Sequence, residues 1–326
     1  MKALLIAGGL GTRLRPLTFT RPKHLLPIAN RPHIEHVLDL LVEHSIHEVV
    51  LLTSYLAEAF STVIERAQAR GVTIEVAHET EPLGTAGAIK NAQDLIGDDS
   101  AFVFNGDVLS SVDLSSTLRF HQGHAGTATI VLTPVDDPSA YGVVETEPDG
   151  RVQRFIEKPA PGETTSNLIN AGIYILDPPV LDLIPAGDVV SIEREVFPRL
   201  AEAGQLYALE TAEYWMDIGT PEKYLQANLD ALDGTFLTDA VADPRTGTAV
   251  IADTAKIADG AQVSSACIGQ RCVIEEGAVV TESVLLDGVV VGQGATVTRS
   301  TLGQDAKVKP GSTVSGLATR DGESVG

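Results

Sequence analysis

Two glycines close the first apolar run of the chain, and a cluster of cations follows them. The stretch reads GGLGTRLRPLT from Gly8 to Thr18, with Arg13 and Arg15 inside it and Arg21 and Lys23 just beyond. Glycine has no Cβ, so backbone N–H groups at Gly8, Gly9 and Gly11 can come close to phosphate oxygens. Arg13 adds a fixed charge whose planar donor fork matches phosphate. The run is not Gly-x-Gly-x-x-Gly, because Leu14 stands where the third glycine belongs, and no Gly-Lys-Ser/Thr follows. The dinucleotide and P-loop fingerprints therefore both fail. An ordinary tight turn is the alternative. Against it stands the concentration of positive charge in a chain whose net charge is −21, which favours a polyanionic ligand.

Carboxylates are the second chemical signal. Asp107 follows the apolar run 101–105 through Gly106, and Asp217 lies in a Trp-Met-Asp-Ile-Gly run. Singly, each is an ordinary turn or solvated residue. Two reaching one point would suit Mg²⁺, which takes one or two carboxylates together with waters and phosphate oxygens. His33/His36 and His44/His47 have helical spacing, but no Cys or carboxylate set completes a zinc site, and they read as helix-surface or capping residues.

The elements that must position these groups alternate. Apolar runs predict strands over 3–7, 48–53, 73–77 and 101–105, with helices over 34–44, 57–70 and 85–95 between them. Strands separated by helices of that length make βαβ units and a Rossmann-like, doubly wound layer with its crevice at the carboxyl ends of the strands. Further strands are expected at 127–134 and 142–145. The last quarter is different. From Ile251 an aliphatic residue recurs at 257, 263, 268, 274, 280, 285, 291, 297, 302, 308 and 314, in steps of 6, 6 and 5 residues. A 17-residue period with Gly, Asp and small residues between is the pattern of a left-handed parallel β-helix, each aliphatic pointing inward. An α/β domain over 1–235 and a linker plus β-helix over 236–326 follow.

Composition bounds the partners. Lys+Arg 23 against Asp+Glu 44 makes the surface repel nucleic-acid backbones and anionic lipid, so neither nucleic acid nor membrane is expected. The longest apolar runs are strand-sized, far below a membrane span, and residues 1–10 do not read as a signal peptide. Cys267 and Cys272 cannot form a disulfide framework, and a reducing cytoplasmic setting is expected.

GGLGTRLRPLT followed by RPKHLLPIANRP (21–32) resembles the signature of the sugar-1-phosphate nucleotidyltransferases. EPLGTAGA (81–88), FNGDVL (104–109), YGVVE (141–145), FIEKP (155–159), NAGIY (170–174) and YWMDIGTPEKY (214–224) follow in the order that family shows. The resemblance is greatest to the mannose-1-phosphate guanylyltransferase branch, which carries a β-helix. It implies that the domain over 1–235 is the catalytic one and that the reaction is NTP + sugar-1-phosphate → NDP-sugar + pyrophosphate, with catalytic roles for Arg13, Lys23 and Asp107. It further implies nucleotide binding by Ala7, Gly8, Gly9, Gly11, Thr12, Arg13, Glu79, Pro82, Gly84, Thr85 and Gly106. Gly142, Glu157, Lys158 and Asn170 would hold the sugar phosphate, and Asp107 and Asp217 the Mg²⁺. Lys23, stiffened between Pro22 and Pro27, would hold the α-phosphate and the attacking phosphate together. His24 stands where relatives often carry another residue. The segment 189–198 resembles the helix after the sugar site and reads as structural. The β-helix, lying after the last matched motif, is expected to serve a homo-oligomer more than the chemistry.

Glu79 is expected to select among bases. Guanine presents N1–H and N2–H₂ side by side, which a carboxylate accepts bidentately, whereas thymine, uracil and adenine put acceptors there. Relatives using those bases mostly carry Gln. The alternative is a glutamate merely exposed at a strand end. Other readings are the same reaction with glucose-1-phosphate and dTTP, ATP or UTP, GTP with a cyclitol phosphate, a non-catalytic regulatory paralogue, or an acyltransferase β-helix. Retention of Arg13, Lys23, Asp107 and Asp217 argues against the regulatory reading. A repeat that contains no histidine argues against the acyltransferase.

Overall fold

The computed structural model describes residues 1–54 and 56–326. The chain divides into two compact units, and neither is continuous in sequence. One is Met1–Gly9 with Val37–Trp215; the other is Leu10–His36 with Met216–Gly326. The boundary expected at 235 follows chain order, whereas the contacts group Leu10–His36 with the second unit.

The first unit is an α/β layer. Its strands are β1 (Lys2–Ile6), β2 (Glu48–Thr53), β3 (Thr73–His78), β4 (Ala101–Asn105), β5 (Ala128–Pro134), β6 (Gly142–Thr146), β7 (Val152–Glu157), β8 (Leu168–Leu176) and β9 (Leu206–Glu210). They form one nine-stranded sheet in the order β7-β6-β8-β4-β1-β2-β3, with β5 paired to β8 and β9 to β5. β1 to β4 are parallel, in the register Ala3↔Val49, Lys2↔Ala101 and Glu48↔Thr73. β8 runs antiparallel to β4, β5 and β6, so the sheet is mixed beyond β4. Continuous apolar runs make the central strands because both faces are covered. Leu4, Val50, Leu52, Val103, Ile130 and Tyr174 all lie in one core, each 1% exposed or less.

Chain order leaves β1 toward β2 on one side, while β4 lies on the other. That reversal is a topological switch point, where open α/β sheets form their ligand crevice. Helix α1 (His33–Glu43) precedes β2. Helix α2 (Ser61–Ala69) begins only after a 3₁₀ turn at Ala57–Phe60. The single helix expected over 85–95 is two, α3 (Gly84–Asn91) and a short turn Gln93–Ile96, broken at Ala92. Helix α4 (Leu114–Gln122) is capped by Asp113, whose carboxylate accepts from the Ser116 N–H at 2.8 Å.

The second unit carries the repeat. Successive strands pair in parallel with every register offset by 17 residues, as in Val263↔Val280, Val280↔Val297 and Val297↔Val314. Left-handed backbone recurs at the same interval in three series: Gly260, Gly277, Gly294 and Gly311; Ser265, Glu282, Arg299 and Gly316; Arg271, Gly288, Asp305 and Gly322. Three corners per coil make a three-sided parallel β-helix. Ile268, Ile274, Val280, Leu285, Val291, Val297 and Leu302 fill its interior and are fully buried. Ile251, expected inside, is 43% exposed because its strand lies at the edge of the stack.

Helix α5 (Pro221–Asp233) packs on this β-helix. Thr220 caps it, Pro221 fixes its first turn and Gly234, at φ 91°, ends it. The signature segment joins the same unit. The Tyr224 hydroxyl donates to the Pro27 carbonyl at 2.6 Å, and the Ala29 N–H donates to Asn228 Oδ1 at 2.9 Å. No helix among the described residues is long and apolar enough to cross a membrane.

Candidate active site

In the first unit the switch point gathers the glycine turn and the NGD turn. Asn105 lies beside Ile6 in register, and the Gly106 N–H donates to the Ile6 carbonyl at 3.1 Å. Ala7, Gly8 and Gly9 therefore leave β1 next to Gly106 and Asp107 leaving β4. Glu79 follows β3 and closes the other side of the turn. It is 5% exposed, so the exposed strand-end alternative fails. Its Oε2 accepts from the Leu83 N–H at 2.9 Å. A Cβ on Gly8 would lie 3.1 Å from Glu79 Oε1 and 3.0 Å from Ser54 Oγ, which is why the turn needs glycine there.

Pro82, Gly84 and Thr85 open α3. Gly84 has φ 74°, and a Cβ on it would stand 2.6 Å from the Val190 carbonyl oxygen. The Thr85 hydroxyl donates to Glu193 Oε2 and accepts from the Ile192 N–H, each at 2.8 Å. The 189–198 segment thus braces the start of α3, and the side chain of Thr85 is engaged with it.

The residues expected on the sugar side gather on β6, β7 and β8. Glu157 sits opposite Gly142. A Cβ on Gly142 would meet Phe155 at 2.6 Å and Glu157 Oε2 at 3.0 Å. Burial, and then the neighbouring Glu193 carboxylate, hold the Glu157 carboxyl above the usual glutamate range; Lys158 and Arg194 oppose the shift. Lys158 is in the left-handed region at φ 54°. Asn170 is committed locally. Its Nδ2 donates to the Tyr174 hydroxyl at 2.9 Å and its Oδ1 accepts from the Gly172 N–H at 2.9 Å. Asn105 Nδ2 also donates to Tyr174, at 3.1 Å. Burial pushes the Tyr174 phenol well up, with Glu193 adding to it. Tyr174 and Glu193 were not singled out in the sequence. A tyrosine closing the NAGIY motif and a glutamate pair around Arg194 were the only signals.

The second unit holds the cations. Gly11, at φ 60°, leads into a 3₁₀ turn Thr12–Leu14 and packs on Thr18 and Lys23. The Thr18 hydroxyl closes the loop on the Gly11 carbonyl at 2.7 Å. Arg13 Nη1 stands 4.0 Å from Asp217 Oδ2, and Lys223 Nζ stands 3.5 Å from the same oxygen. A Cβ on Gly219 would lie 2.8 Å from Asp217 Oδ1 and 3.0 Å from Arg13 Nη2, so glycine lets the two groups meet.

Two of the four cations clustered in the sequence, Arg21 and Arg15, are engaged within this unit. Arg21 Nη2 bonds Asp321 Oδ2 at 2.8 Å and Gln304 Oε1 at 3.1 Å, and Arg15 stacks on Phe19 at 5.1 Å. His33 and His36 are not surface residues: they are 0% and 5% exposed. Both ring nitrogens of His36 are used, Nε2 with the Ile28 carbonyl and Nδ1 with the Thr238 hydroxyl. His24 is buried as well. The two cysteines are buried thiols, and burial pushes Cys267 up to about 12 and Cys272 up to about 11.

The family model described as "Nucleotidyl transferase" matches residues 2–234, and that described as "GMPPB C-terminal domain" matches residues 245–325. The chain is 46% identical over 229 residues to the mannose-1-phosphate guanylyltransferase catalytic subunit beta of Danio rerio, covering 69% of this chain and 63% of that protein. It is 44% identical over 274 residues to the Arabidopsis thaliana protein named "Probable mannose-1-phosphate guanylyltransferase 2", covering 80% of this chain and 74% of that one. Among solved structures, HddC from Yersinia pseudotuberculosis complexed with GMP-PN superposes with a TM-score of 0.60 at 29% identity, over 70% of this chain and 97% of HddC. Matched over most of its length and built with its glycine turn at the switch point of an α/β sheet, the chain belongs to the nucleotidyl transferase family.

Proposed function

We propose that this chain transfers GMP from GTP to mannose-1-phosphate, forming GDP-mannose and releasing pyrophosphate. A phosphate oxygen of the sugar-1-phosphate attacks the α-phosphorus. The bond from that phosphorus to the β,γ-pyrophosphate breaks, and the pyrophosphate leaves with its electrons. Such a transfer asks for positioning and charge neutralisation more than covalent chemistry. Gly8, Gly9, Gly11 and Thr12 offer backbone to the triphosphate. Arg13 meets the charge that builds on the leaving pyrophosphate, and Lys23 holds the two reacting phosphates. Lys158 takes the sugar's phosphate, and Glu157 accepts from sugar hydroxyls.

The observation that carries the guanine reading is Glu79, a nearly buried carboxylate against the glycine turn at the switch point. The names borne by the zebrafish and Arabidopsis relatives, and the nucleotide in the HddC complex, support it. Asp107 and Asp217 would hold Mg²⁺, since hard carboxylate oxygens suit that ion, and the bound metal would supply charge neutralisation. We further read the protein as cytoplasmic and as a homo-oligomer assembled through its β-helix, which sedimentation at several concentrations tests.

The test of the reaction is pyrophosphate release across a grid of GTP, ATP, dTTP and UTP with mannose-, glucose- and other sugar-1-phosphates. The expected optimum in kcat/KM is GTP with mannose-1-phosphate. A higher value with another base overturns the guanine assignment. No release with any pair overturns the reaction.

A further inference from the structure

The last coil of the β-helix grips the segment that carries the signature cations. Asp321 is the centre of the grip. Its Oδ2 accepts from Arg21 Nη2 at 2.8 Å and from the Thr20 hydroxyl, while its Oδ1 accepts from the Gln304 N–H at 2.8 Å. Arg21 also donates to Gln304 Oε1, so guanidinium, carboxylate and carboxamide form one network. The pair is largely shielded, with side chains 20% and 25% exposed. Next to it the Arg320 guanidinium lies 4.8 Å from the centre of the Phe19 ring, whose other cation partner is Arg15. The far end of the segment is held too. Asn30 Nδ2 donates to the Ile268 carbonyl at 2.7 Å and the Val250 carbonyl at 3.1 Å, both in the first coils.

Residues 19–30 are thus tied to the β-helix at both ends, and the 3₁₀ turn Lys23–Leu25 lies between the ties. Upstream, Gly11 packs against Thr18 and Lys23, which links the Arg13 loop to the same segment. A charge-assisted, multidentate bond fixes orientation as well as distance.

We infer that Asp321 is a positioning residue for nucleotidyl transfer, acting through Arg21 to aim Lys23. On this inference the β-helix serves the chemistry directly, beyond any part it has in assembly. The inference rests on the function proposed above. Small displacements of a phosphate-holding group are costly in rate, because the gain from orientation is lost steeply.

The test compares Asp321→Asn, Arg21→Met and the double variant in the full chain. Asp321→Asn keeps an oxygen for the Gln304 N–H, removes the negative charge, and puts a donating NH₂ where Oδ2 accepted from Arg21 and Thr20. We expect kcat for pyrophosphate release to fall about 10-fold in each single variant, with no further fall in the double. The KM for the sugar phosphate and the unfolding midpoint should stay near wild type, and Asp321→Glu should recover part of kcat. Amide hydrogen exchange reads the same grip without turnover: the Leu25 and Leu26 N–H groups, which close the turn on Pro22 and Lys23, should exchange faster in Asp321→Asn. Unchanged kcat per folded molecule in both single variants overturns the inference, even if stability drops. Unchanged exchange overturns it as well. Absence of pyrophosphate release by the wild type instead sinks the proposed function and leaves the exchange experiment to decide the grip.

Discussion

Glu79 has two oxygens with different surroundings. Oε2 holds the Leu83 N–H and Oε1 faces Gly8. Glu79→Gln keeps an acceptor for Leu83, so the fold survives and the change falls on the base. The preference for GTP over dTTP, UTP and ATP should drop by roughly 1–3 kcal/mol, the cost of one mispaired polar contact. An unmoved ratio of kcat/KM values would reduce Glu79 to a brace for its turn. At the carboxylates, Asp107→Asn and Asp217→Asn should each lower kcat by about 10²–10³-fold with the protein still folded. Near-normal turnover at saturating Mg²⁺ would remove the metal assignment. Gly84 makes a prediction about stability alone. Its left-handed backbone and the Val190 carbonyl 2.6 Å from the added Cβ mean that Gly84→Ala should destabilise by about 1–3 kcal/mol. The urea midpoint measures it, and an unchanged midpoint refutes the steric account.

Between elements, a directional hydrogen-bond chain joins α4 and the turn after it to β5. The His124 Nδ1 accepts from the Gly126 N–H at 3.1 Å, so its Nε2–H donates to the Thr129 hydroxyl at 2.8 Å. Thr129 then donates to His121 Nδ1 at 2.9 Å, and His121 Nε2–H donates to Asp177 Oδ1 at 3.0 Å. The Gly126 link needs an unprotonated Nδ1 on His124. Burial first, then the neighbouring His121, holds His124 below its ordinary value of 6.5, with Asp177 opposing. The native state therefore binds fewer protons at His124 than the unfolded chain does. Its contribution to stability is complete above 6.5 and falls as the pH drops from there to the lowered native value. Glu157, whose carboxyl is raised above 4.5, has the opposite sign: its contribution grows as the pH falls from the raised value toward 4.5. Denaturant titrations between about pH 7 and about pH 5 should show stability falling in wild type and falling less in His124→Gln. Equal slopes would discount the network. The FHQGH run that builds it carried no sign of this in the sequence, because Asp177 and Thr129 reach it only through the fold.

At the scale of the molecule, chain order and contact order disagree. The second unit is assembled from Leu10–His36 and Met216–Gly326, so residues 10–36 depend on residues that come 197 to 300 positions later. Tyr224 and Asn228 hold Pro27 and Ala29, and Asp321 holds Arg21. A chain ended after residue 235 keeps every matched signature motif yet loses Asp321, Gln304 and the carbonyls of Val250 and Ile268. It should lose most of its activity and melt at a lower temperature than the full chain, with a broader transition. Full activity per molecule in a well-folded truncated chain would show that the segment holds its shape alone. The expectation that the repeat matters for assembly more than for chemistry is tested by the same comparison.

Local rules were enough for much of this. Apolar runs bounded by glycine marked β1 and β4 and so located the Gly8 and Asp107 turns. The 17-residue period gave the β-helix coil by coil, since each inward position meets its equivalent in the next coil. Steric need for glycine at Gly8 and Gly84 agrees with motifs visible in one dimension. What the sequence could not carry was which polar group meets which across the chain. Arg15, Arg21, Arg13 and Lys23 look alike as cations in a row. Only the fold takes Arg21 to Asp321, 300 positions away, stacks Arg15 on Phe19 and brings Asp217 to Arg13. Likewise the burial of Glu79, His33 and His36 depends on neighbours supplied by distant segments. Periodicity and turn chemistry are properties of adjacent residues. Desolvation and ion pairing are set by whatever the tertiary structure brings within a few ångströms.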